Sequence, residues 1–101
     1  MSPSLWIAAT LIALLACLAH SGCRKVFLLA FSRLGVEPSN GVVIEDALVG
    51  VMAARRAGAA CLAVTNTQPA QALLNAGAHR VVDSLEQMRV ADLEVLVQRL
   101  R

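Results

Sequence analysis

Two adjacent carboxylates, Glu45 and Asp46, stand directly after the run Val42-Val43-Ile44. Three consecutive β-branched apolar residues are typical of a short buried strand. In an open parallel sheet, side chains at the carboxyl ends of the strands face the crevice in which ligands bind. Carboxylate oxygens are ligands that Mg²⁺ accepts, usually together with retained water. Asp46 and Glu45 are therefore candidate ligands of a magnesium ion. The alternative is a solvated turn in which Asp46 caps the helix that follows.

The elements around this pair follow from the periodicity of the apolar residues and from the turn residues between them. The alternation of short strands with helices, given in full below, indicates βαβ units and a parallel sheet. The predicted fold class is α/β, a partial Rossmann-like three-layer core with about three parallel strands and flanking helices, preceded by an apolar N-terminal helix. The predicted elements are, in chain order, a helix over Arg24–Leu34, a strand over Val42–Ile44, a helix over Ala47–Ala57, a strand over Ala59–Thr65, a helix from the N-cap Thr67 to Ala76, a strand over Arg80–Asp83, a helical segment capped by Ser84 and Gln87, and a helix over Val90–Leu100.

The chain divides into residues 1–23, a signal-like or anchor-like apolar segment, and residues 24–101, because no Asp, Glu, Lys or Arg occurs before Arg24. Leu5–Ala19 is an apolar run broken only by Thr10, shorter than the roughly 20 residues that span a bilayer. Three interpretations remain open: a signal peptide, a short membrane anchor, or a foreign apolar segment joined to a truncated enzyme. The first two predict a membrane-associated or secreted protein, with membrane association through residues 5–19. The third predicts a cytoplasmic protein.

Charge and the remaining reactive side chains exclude some classes of function. The net charge of +2 and the lack of a basic cluster with interleaved aromatic residues argue against nucleic-acid binding. The three cysteines have neither metal-ligand spacing nor a CxxC pair, and Cys61 is predicted to be a small buried hydrophobe. Arg55 and Arg56 end a helix, so we expect them to face water and complement the helix dipole. His20 and His79 are predicted to be surface or turn residues.

The run from Glu45 to Gly58 resembles the fourth motif of haloacid dehalogenase-like hydrolases, in the branch that contains β-phosphoglucomutase and phosphoglycolate phosphatase. That motif reads Glu-Asp, Ser or Ala, two variable residues, Gly, two variable residues, Ala-Ala, two variable residues, Ala-Gly, and this sequence has EDALVGVMAARRAG without a gap. Phe27–Pro38 is similar to a helix of the same family that reads Phe-Leu-variable-Ala-Ala-variable-variable-Leu-Gly-Val-variable-Pro. The resemblance extends from Val26 to about Met88, and so concerns the C-terminal part of the core only.

The resemblance implies a Mg²⁺-dependent phosphatase or phosphomutase that acts on a small phosphorylated metabolite through an Asp nucleophile. In that scheme Asp46 is a Mg²⁺ ligand, and Glu45 ligates the metal or orients its water. The family's nucleophile loop, Asp-variable-Asp-Gly-Thr, is absent because no Asp precedes Asp46, and Lys25 is a poor match to the family's phosphate-binding Lys. No catalytic residue is therefore assigned, and Mg²⁺ binding is expected to be weak or lost.

Two hypotheses of different classes follow. The first is a truncated haloacid dehalogenase-like hydrolase with little or no activity alone. The alternative is a non-catalytic module, membrane-tethered or secreted, that binds a partner. Without the family's nucleophile strand, Val42–Ile44 is predicted to be an unpaired sheet edge. That edge would be open to pairing with another chain unless the Leu5–Ala19 segment covers it.

Overall fold

The computed structural model describes Trp6–Ala8 and residues 23–100. The described strands are β1 (Trp6–Ala8), β2 (Gly41–Glu45), β3 (Ala60–Val64) and β4 (Arg80–Val82). The described helices are α1 (Cys23–Leu34), α2 (Leu48–Ala57), α3 (Ala70–Ala76) and α4 (Val90–Leu100), with short 3₁₀ turns over Pro38–Asn40 and Leu85–Gln87.

The described strands form one parallel sheet in the order β1-β2-β3-β4. In the register of this sheet, Val43 lies opposite Cys61 and Ala63 lies opposite Val81. Because the strands all run in the same direction, the residues that follow them meet at one edge of the sheet, which we call the carboxyl edge. The opposite edge, where the strands begin, is called the amino edge.

Helices cover both faces of the sheet, because successive side chains of a strand point to opposite faces. One face packs against α1, α2 and α3, and its buried core includes Phe27, Phe31, Val43, Val51, Cys61, Ala63 and Leu73. The other face packs against α4, and its buried core consists of Val42, Ala60, Leu62, Val64, Val82, Leu93, Leu96 and Val97. The predicted α/β class and its three layers are confirmed.

Left-handed glycines follow three of the described helices, Gly35 after α1, Gly58 after α2 and Gly77 after α3. Gly58 follows α2 with φ 85° and Gly77 follows α3 with φ 116°, the left-handed region in which a residue with a Cβ is strained. Each glycine N–H donates to carbonyls of the preceding helical turn. These two stops return the chain to the amino edge, where the next strand begins.

The segment that precedes α1 differs from its prediction where it is described. Trp6–Ala8 form a strand rather than part of an apolar helix, and residues 9–22 lie outside the described part of the chain. This strand pairs with β2 through Trp6 opposite Gly41, Ile7 opposite Val42 and Ala8 opposite Val43. Val42–Ile44 is therefore not an open edge, because β1, which lies within the Leu5–Ala19 segment, pairs with one side of β2, the alternative that the sequence left open.

Two capping predictions have opposite outcomes. The capping box at Ser84 is confirmed, since the Ser84 hydroxyl accepts from the N–H of Glu86 and the Gln87 side chain accepts from the N–H of Ser84. The N-cap at Thr67 is wrong, because α3 begins at Ala70 and its N-cap is Pro69, which offers no side-chain oxygen. Thr67 uses its hydroxyl elsewhere.

Among the helices of the described residues, none has the length and apolar character needed to cross a membrane.

Candidate functional site at the carboxyl edge

Glu45, the last residue of β2, is buried, with 3% of its surface exposed. One carboxyl oxygen, Oε1, accepts hydrogen bonds from the N–H of Asp46 at 3.1 Å and from the N–H of Ala47 at 3.2 Å. The first N–H groups of a helix lack partners within the helix, and the N-cap of α2, Ala47, has no side-chain hydrogen bond. The Glu45 side chain therefore supplies the hydrogen-bond acceptor that fixes the backbone of the turn between β2 and α2.

The second oxygen of Glu45, Oε2, is buried without a hydrogen-bond partner among the described residues. It lies against Gly50 in α2, where a Cβ would overlap the Glu45 carboxyl group. Glycine inside a helix costs roughly 0.5–1 kcal/mol relative to alanine. The space for the Glu45 side chain is therefore the structural reason for Gly50, and the sequence motif gave no indication of this contact.

Burial raises the pKa of Glu45 above its usual value, because removal from water disfavours the charged form. The N–H groups of Ala47 and Asp46 act in the opposite direction, and the negative charge of Asp46 adds to the rise. Glu45 thus has a different electrostatic environment from Asp46, which is half-exposed.

Asp46 lies at the start of the β2–α2 turn, and its backbone is held from both sides. Its N–H donates to Glu45, and its carbonyl oxygen accepts from the Thr67 hydroxyl at 3.0 Å. The interpretation of Asp46 as the N-cap of α2 is wrong, because the N-cap position belongs to Ala47. Asp46 instead places its carboxylate at the carboxyl edge, at the N-terminal side of α2.

Hydrogen bonds connect the ends of three adjacent strands at this edge. The Thr67 hydroxyl joins the segment after β3 to the end of β2. The Thr65 hydroxyl donates to Asp83 Oδ1 at 2.8 Å, and the Thr65 N–H donates to the Val82 carbonyl at 3.0 Å. The sequence indicated only that the Thr65 region ends a strand. The threonine contacts require the strand order, which the sequence pattern does not contain.

The other reactive residues considered from the sequence lie away from this edge. Cys61 is fully buried, and burial raises the pKa of its thiol to about 12, so it remains an uncharged hydrophobic side chain as predicted. Arg55 and Arg56 are exposed as expected, and the Arg55 guanidinium also donates to the Gly77 carbonyl at 2.8 Å.

The interpretation of His79 as a surface or turn residue misses its contacts. His79 is half-buried, and its Nδ1 accepts from the Cys61 N–H at 3.0 Å. Its own N–H donates to the Cys61 carbonyl at 2.9 Å. Burial lowers the pKa of His79, and the positive charge of Arg55 acts in the same direction. His79 therefore extends the β3–β4 pairing at the amino edge.

An open groove of about 340 Å³ lies beside α1 and the loop that follows it. Its lining residues are Leu28, Ser32, Gly35, Val36, Glu37 and Pro38. The loop leads into β2 at Gly41, which packs against Phe31 of α1. This groove therefore belongs to the amino edge and does not include the acidic pair.

Comparisons with known proteins agree with the family resemblance of the C-terminal part of the chain. No family model matches the chain. The chain is 51% identical over 47 residues to validoxylamine A 7'-phosphate phosphatase from Streptomyces hygroscopicus subsp. limoneus, covering 46% of this chain and 22% of that protein. It is 29% identical over 76 residues to a haloacid dehalogenase-like hydrolase domain-containing protein from Arabidopsis thaliana, covering 75% of this chain and 24% of that one.

A solved structure extends this similarity to the fold. The HAD family hydrolase from Deinococcus radiodurans R1, crystallised with bound phosphate and sodium, has a TM-score of 0.62 and 33% identity. The match covers 73% of this chain and 34% of that chain. Over the matched region, the chain is similar to part of a haloacid dehalogenase-like hydrolase core. It spans between 22% and 34% of the length of these three proteins.

Haloacid dehalogenase-like phosphatases generally use Mg²⁺. The question is whether the described residues provide the oxygen ligands that this ion requires. Mg²⁺ requires near-octahedral oxygen coordination and is commonly held by one or two carboxylates with several waters. Asp46 fits one such position, whereas Glu45 Oε1 is engaged by two N–H groups and Oε2 is enclosed beside Gly50. The described residues contain no group of three His, Cys, Asp or Glu side chains placed to hold a metal. They fit one ligand and do not make a complete site.

Proposed function

We propose that this chain carries the cation-contacting part of a haloacid dehalogenase-like phosphatase or phosphomutase core, with little or no phosphoryl-transfer activity by itself. The position of Asp46 supports this proposal most directly. It lies at the carboxyl edge, half-exposed, between the buried Glu45 and the hydroxyl of Thr67. In this proposal Asp46 offers its carboxylate to the crevice, while the two hydrogen bonds hold its backbone in place.

The two carboxyl groups have separate roles in this proposal. Asp46 contributes one oxygen ligand to Mg²⁺, and Glu45 fixes the turn that carries Asp46. When bound, Mg²⁺ supplies the positive charge that screens a phosphate dianion from an attacking anion. One accessible carboxylate with water ligands holds such an ion weakly, because most of the coordination shell then remains water. We therefore expect weak binding by this chain.

Low activity follows from the residue types present. The sequence has no Asp before Asp46, so the chain contains no Asp-variable-Asp loop of the kind that carries the nucleophile in the resembling family. Covalent catalysis requires a nucleophile within reach of the reacting phosphorus. A small phosphorylated molecule is the proposed substrate class of the complete core, as supported by the named substrate of the Streptomyces relative.

The test compares the full chain with the near-isosteric variant Asp46→Asn. Asp83→Asn is the matched control, since Asp83 is a second carboxylate at the same edge. Hydrolysis of p-nitrophenyl phosphate is measured with and without Mg²⁺. In parallel, Mn²⁺ is titrated into ¹⁵N-labelled protein, and paramagnetic broadening of the Asp46 and Ala47 amide signals reports a bound ion.

We expect no Mg²⁺-dependent turnover above the Asp46→Asn background. Broadening at Asp46 and Ala47 should occur in the wild type and in Asp83→Asn, and should be lost in Asp46→Asn. Turnover that depends on both Mg²⁺ and Asp46 would disprove the proposal that this chain has little or no activity by itself. Broadening that persists unchanged in Asp46→Asn would instead disprove the cation-contacting role.

A further inference from the structure

The peptide groups on either side of Asp46 are fixed by side chains rather than by regular secondary structure. On the N–H side, Glu45 Oε1 accepts at 3.1 Å. On the carbonyl side, the Thr67 hydroxyl donates at 3.0 Å across a sequence separation of 21 residues. The Asp46 carbonyl stands at the end of β2, before the first residue of α2, so these contacts set the direction in which the chain leaves the strand.

The hydroxyl of Thr67 comes from an anchored segment. Two residues earlier, the Thr65 N–H donates to the Val82 carbonyl at 3.0 Å and the Thr65 hydroxyl donates to Asp83 at 2.8 Å. These bonds join the end of β3 to the end of β4. Thr67 therefore transmits the position of two neighbouring strands to the turn that carries Asp46.

A purely local role for Thr67 does not account for its contact. An N-cap threonine would accept from N–H groups in the first turn of α3, but α3 has Pro69 at its N-cap and no side-chain cap bond. A hydroxyl has one proton to donate, and Thr67 gives it to the Asp46 carbonyl. The side chain thus acts on the β2–α2 turn and not on the helix that follows it.

We infer that Thr67 is a positioning residue for Asp46, holding the β2–α2 turn so that the Asp46 carboxylate faces the carboxyl edge. This inference rests on the proposed function for the identity of the group that Asp46 contacts. The hydrogen-bond geometry that carries it does not depend on a metal. Its consequence is that loss of one exposed hydroxyl weakens a cation contact made by a different residue.

The experiment compares Thr67→Val, which keeps the shape and removes the donor, with Thr67→Ser, which keeps the donor. Gln71→Met is the matched control, since it removes another exposed side-chain donor after β3, one that bonds to Asn75 and neither contacts Asp46 nor anchors Thr67. Two readouts are taken on the full chain: hydrogen exchange of the Asp46 and Ala47 amides, and the Mn²⁺ concentration that half-broadens their signals.

In Thr67→Val we expect exchange at Asp46 and Ala47 to accelerate roughly threefold to tenfold, the range that the loss of one neutral hydrogen bond allows. The half-broadening Mn²⁺ concentration should rise by a similar factor. Thr67→Ser should restore both values, and Gln71→Met should leave both near wild type. A general loss of stability would accelerate exchange throughout β3 and β4 as well, and that result would overturn the inference.

Failure of the inference and failure of the proposed function are distinguishable. Equal exchange rates and equal Mn²⁺ concentrations in wild type and Thr67→Val would overturn the positioning role. If wild type shows no Mn²⁺ broadening, the proposed cation contact is wrong, and the exchange rates decide the positioning role alone. Acceleration confined to Asp46 and Ala47 in Thr67→Val, reversed in Thr67→Ser, would then support it.

Discussion

At the amino edge of the sheet, polar side chains form hydrogen bonds with backbone groups of neighbouring segments. His79 and Cys61 exchange two hydrogen bonds, and Arg55 donates to the Gly77 carbonyl. At the carboxyl edge, by contrast, a buried oxygen of Glu45 has no hydrogen-bond partner among the described residues. At both edges a titratable residue contacts the backbone. His79 forms two hydrogen bonds with the Cys61 backbone in β3, whereas Glu45 bonds to the backbone through only one of its two carboxyl oxygens.

Under the proposed function, the difference separates groups that complete the fold from groups that serve a cation site. A buried polar atom without a partner costs about 1–3 kcal/mol, and most buried polar groups in proteins are paired. Departures from local consistency are expected where a chain retains residues for function. The carboxyl edge shows such a departure at Glu45, beside the half-exposed Asp46. The amino edge shows none of comparable kind among its described residues.

The largest expected effect comes from Gly50→Ala. Alanine normally stabilises a helix interior by about 0.5–1 kcal/mol over glycine, but here the new Cβ would overlap the Glu45 carboxyl group. We expect a loss of about 2–3 kcal/mol in the free energy of unfolding, as for an overpacked site. Urea unfolding of the full chain measures it.

The control for Gly50→Ala is the same change in a Glu45→Ala background, where the overlapping atoms are gone. There the cost should disappear, giving a coupling of roughly 2 kcal/mol between the two positions. An equal cost in both backgrounds would mean that Glu45 does not determine the need for glycine, and the contrast between the two edges would lose its main support.

At the amino edge, His79→Ala should cost about 2 kcal/mol, because it leaves the buried Cys61 N–H without its acceptor. His79→Asn is the matched variant, since its Oδ1 can occupy the place of Nδ1 and accept the same bond. Urea unfolding at neutral pH should place Asn much closer to wild type than Ala. Equal losses in both variants would show that ring packing, and not the hydrogen bond, stabilises this edge.

The pH dependence of stability offers a smaller and more specific test. The pKa of His79 is lowered in the folded state, so the unfolded chain binds the proton more readily. Stability from this group is therefore full above the unfolded pKa of about 6.5 and is lost as the pH falls from there through the folded pKa. Unfolding measured from pH 8 to pH 5 should show this decline in wild type and a reduced decline in His79→Asn. The same slope in both proteins would contradict the assignment.

The smallest expected effect is that of Arg55→Met, which keeps most of the side-chain stem and removes the donor to the Gly77 carbonyl. Because this bond is exposed, we expect a loss of about 0.5–1 kcal/mol. Arg56→Met is the control at the adjacent exposed position, with an expected change within about 0.5 kcal/mol. Indistinguishable unfolding midpoints for the two variants would show that the Arg55 hydrogen bond to Gly77 does not stabilise the amino edge.

The sequence predicted the elements well where periodicity and turn chemistry agree. The strand before Asp46 is one residue longer at each end than predicted, the helix after it begins one residue later, and glycines end α2 and α3. The strand at Trp6–Ala8 was missed, because a short apolar run inside a longer one carries no period that separates strand from helix. Thr67 was misassigned as an N-cap because a threonine shortly before Pro69-Ala70 fits the start of a helix as well as it fits the contact that Thr67 actually makes with the Asp46 carbonyl.

What the sequence determined by itself is the location of the acidic pair: three β-branched residues specify a buried strand, and the carboxylates follow it before an alanine-rich helix ended by glycine. Tertiary structure decided how the two carboxyl groups differ. Glu45 is buried because its side chain turns under α2 into the space left by Gly50, and Asp46 is held by a hydroxyl 21 residues away. These contacts depend on which strands are neighbours and on how closely α2 approaches β2. Local sequence preferences do not encode those distances.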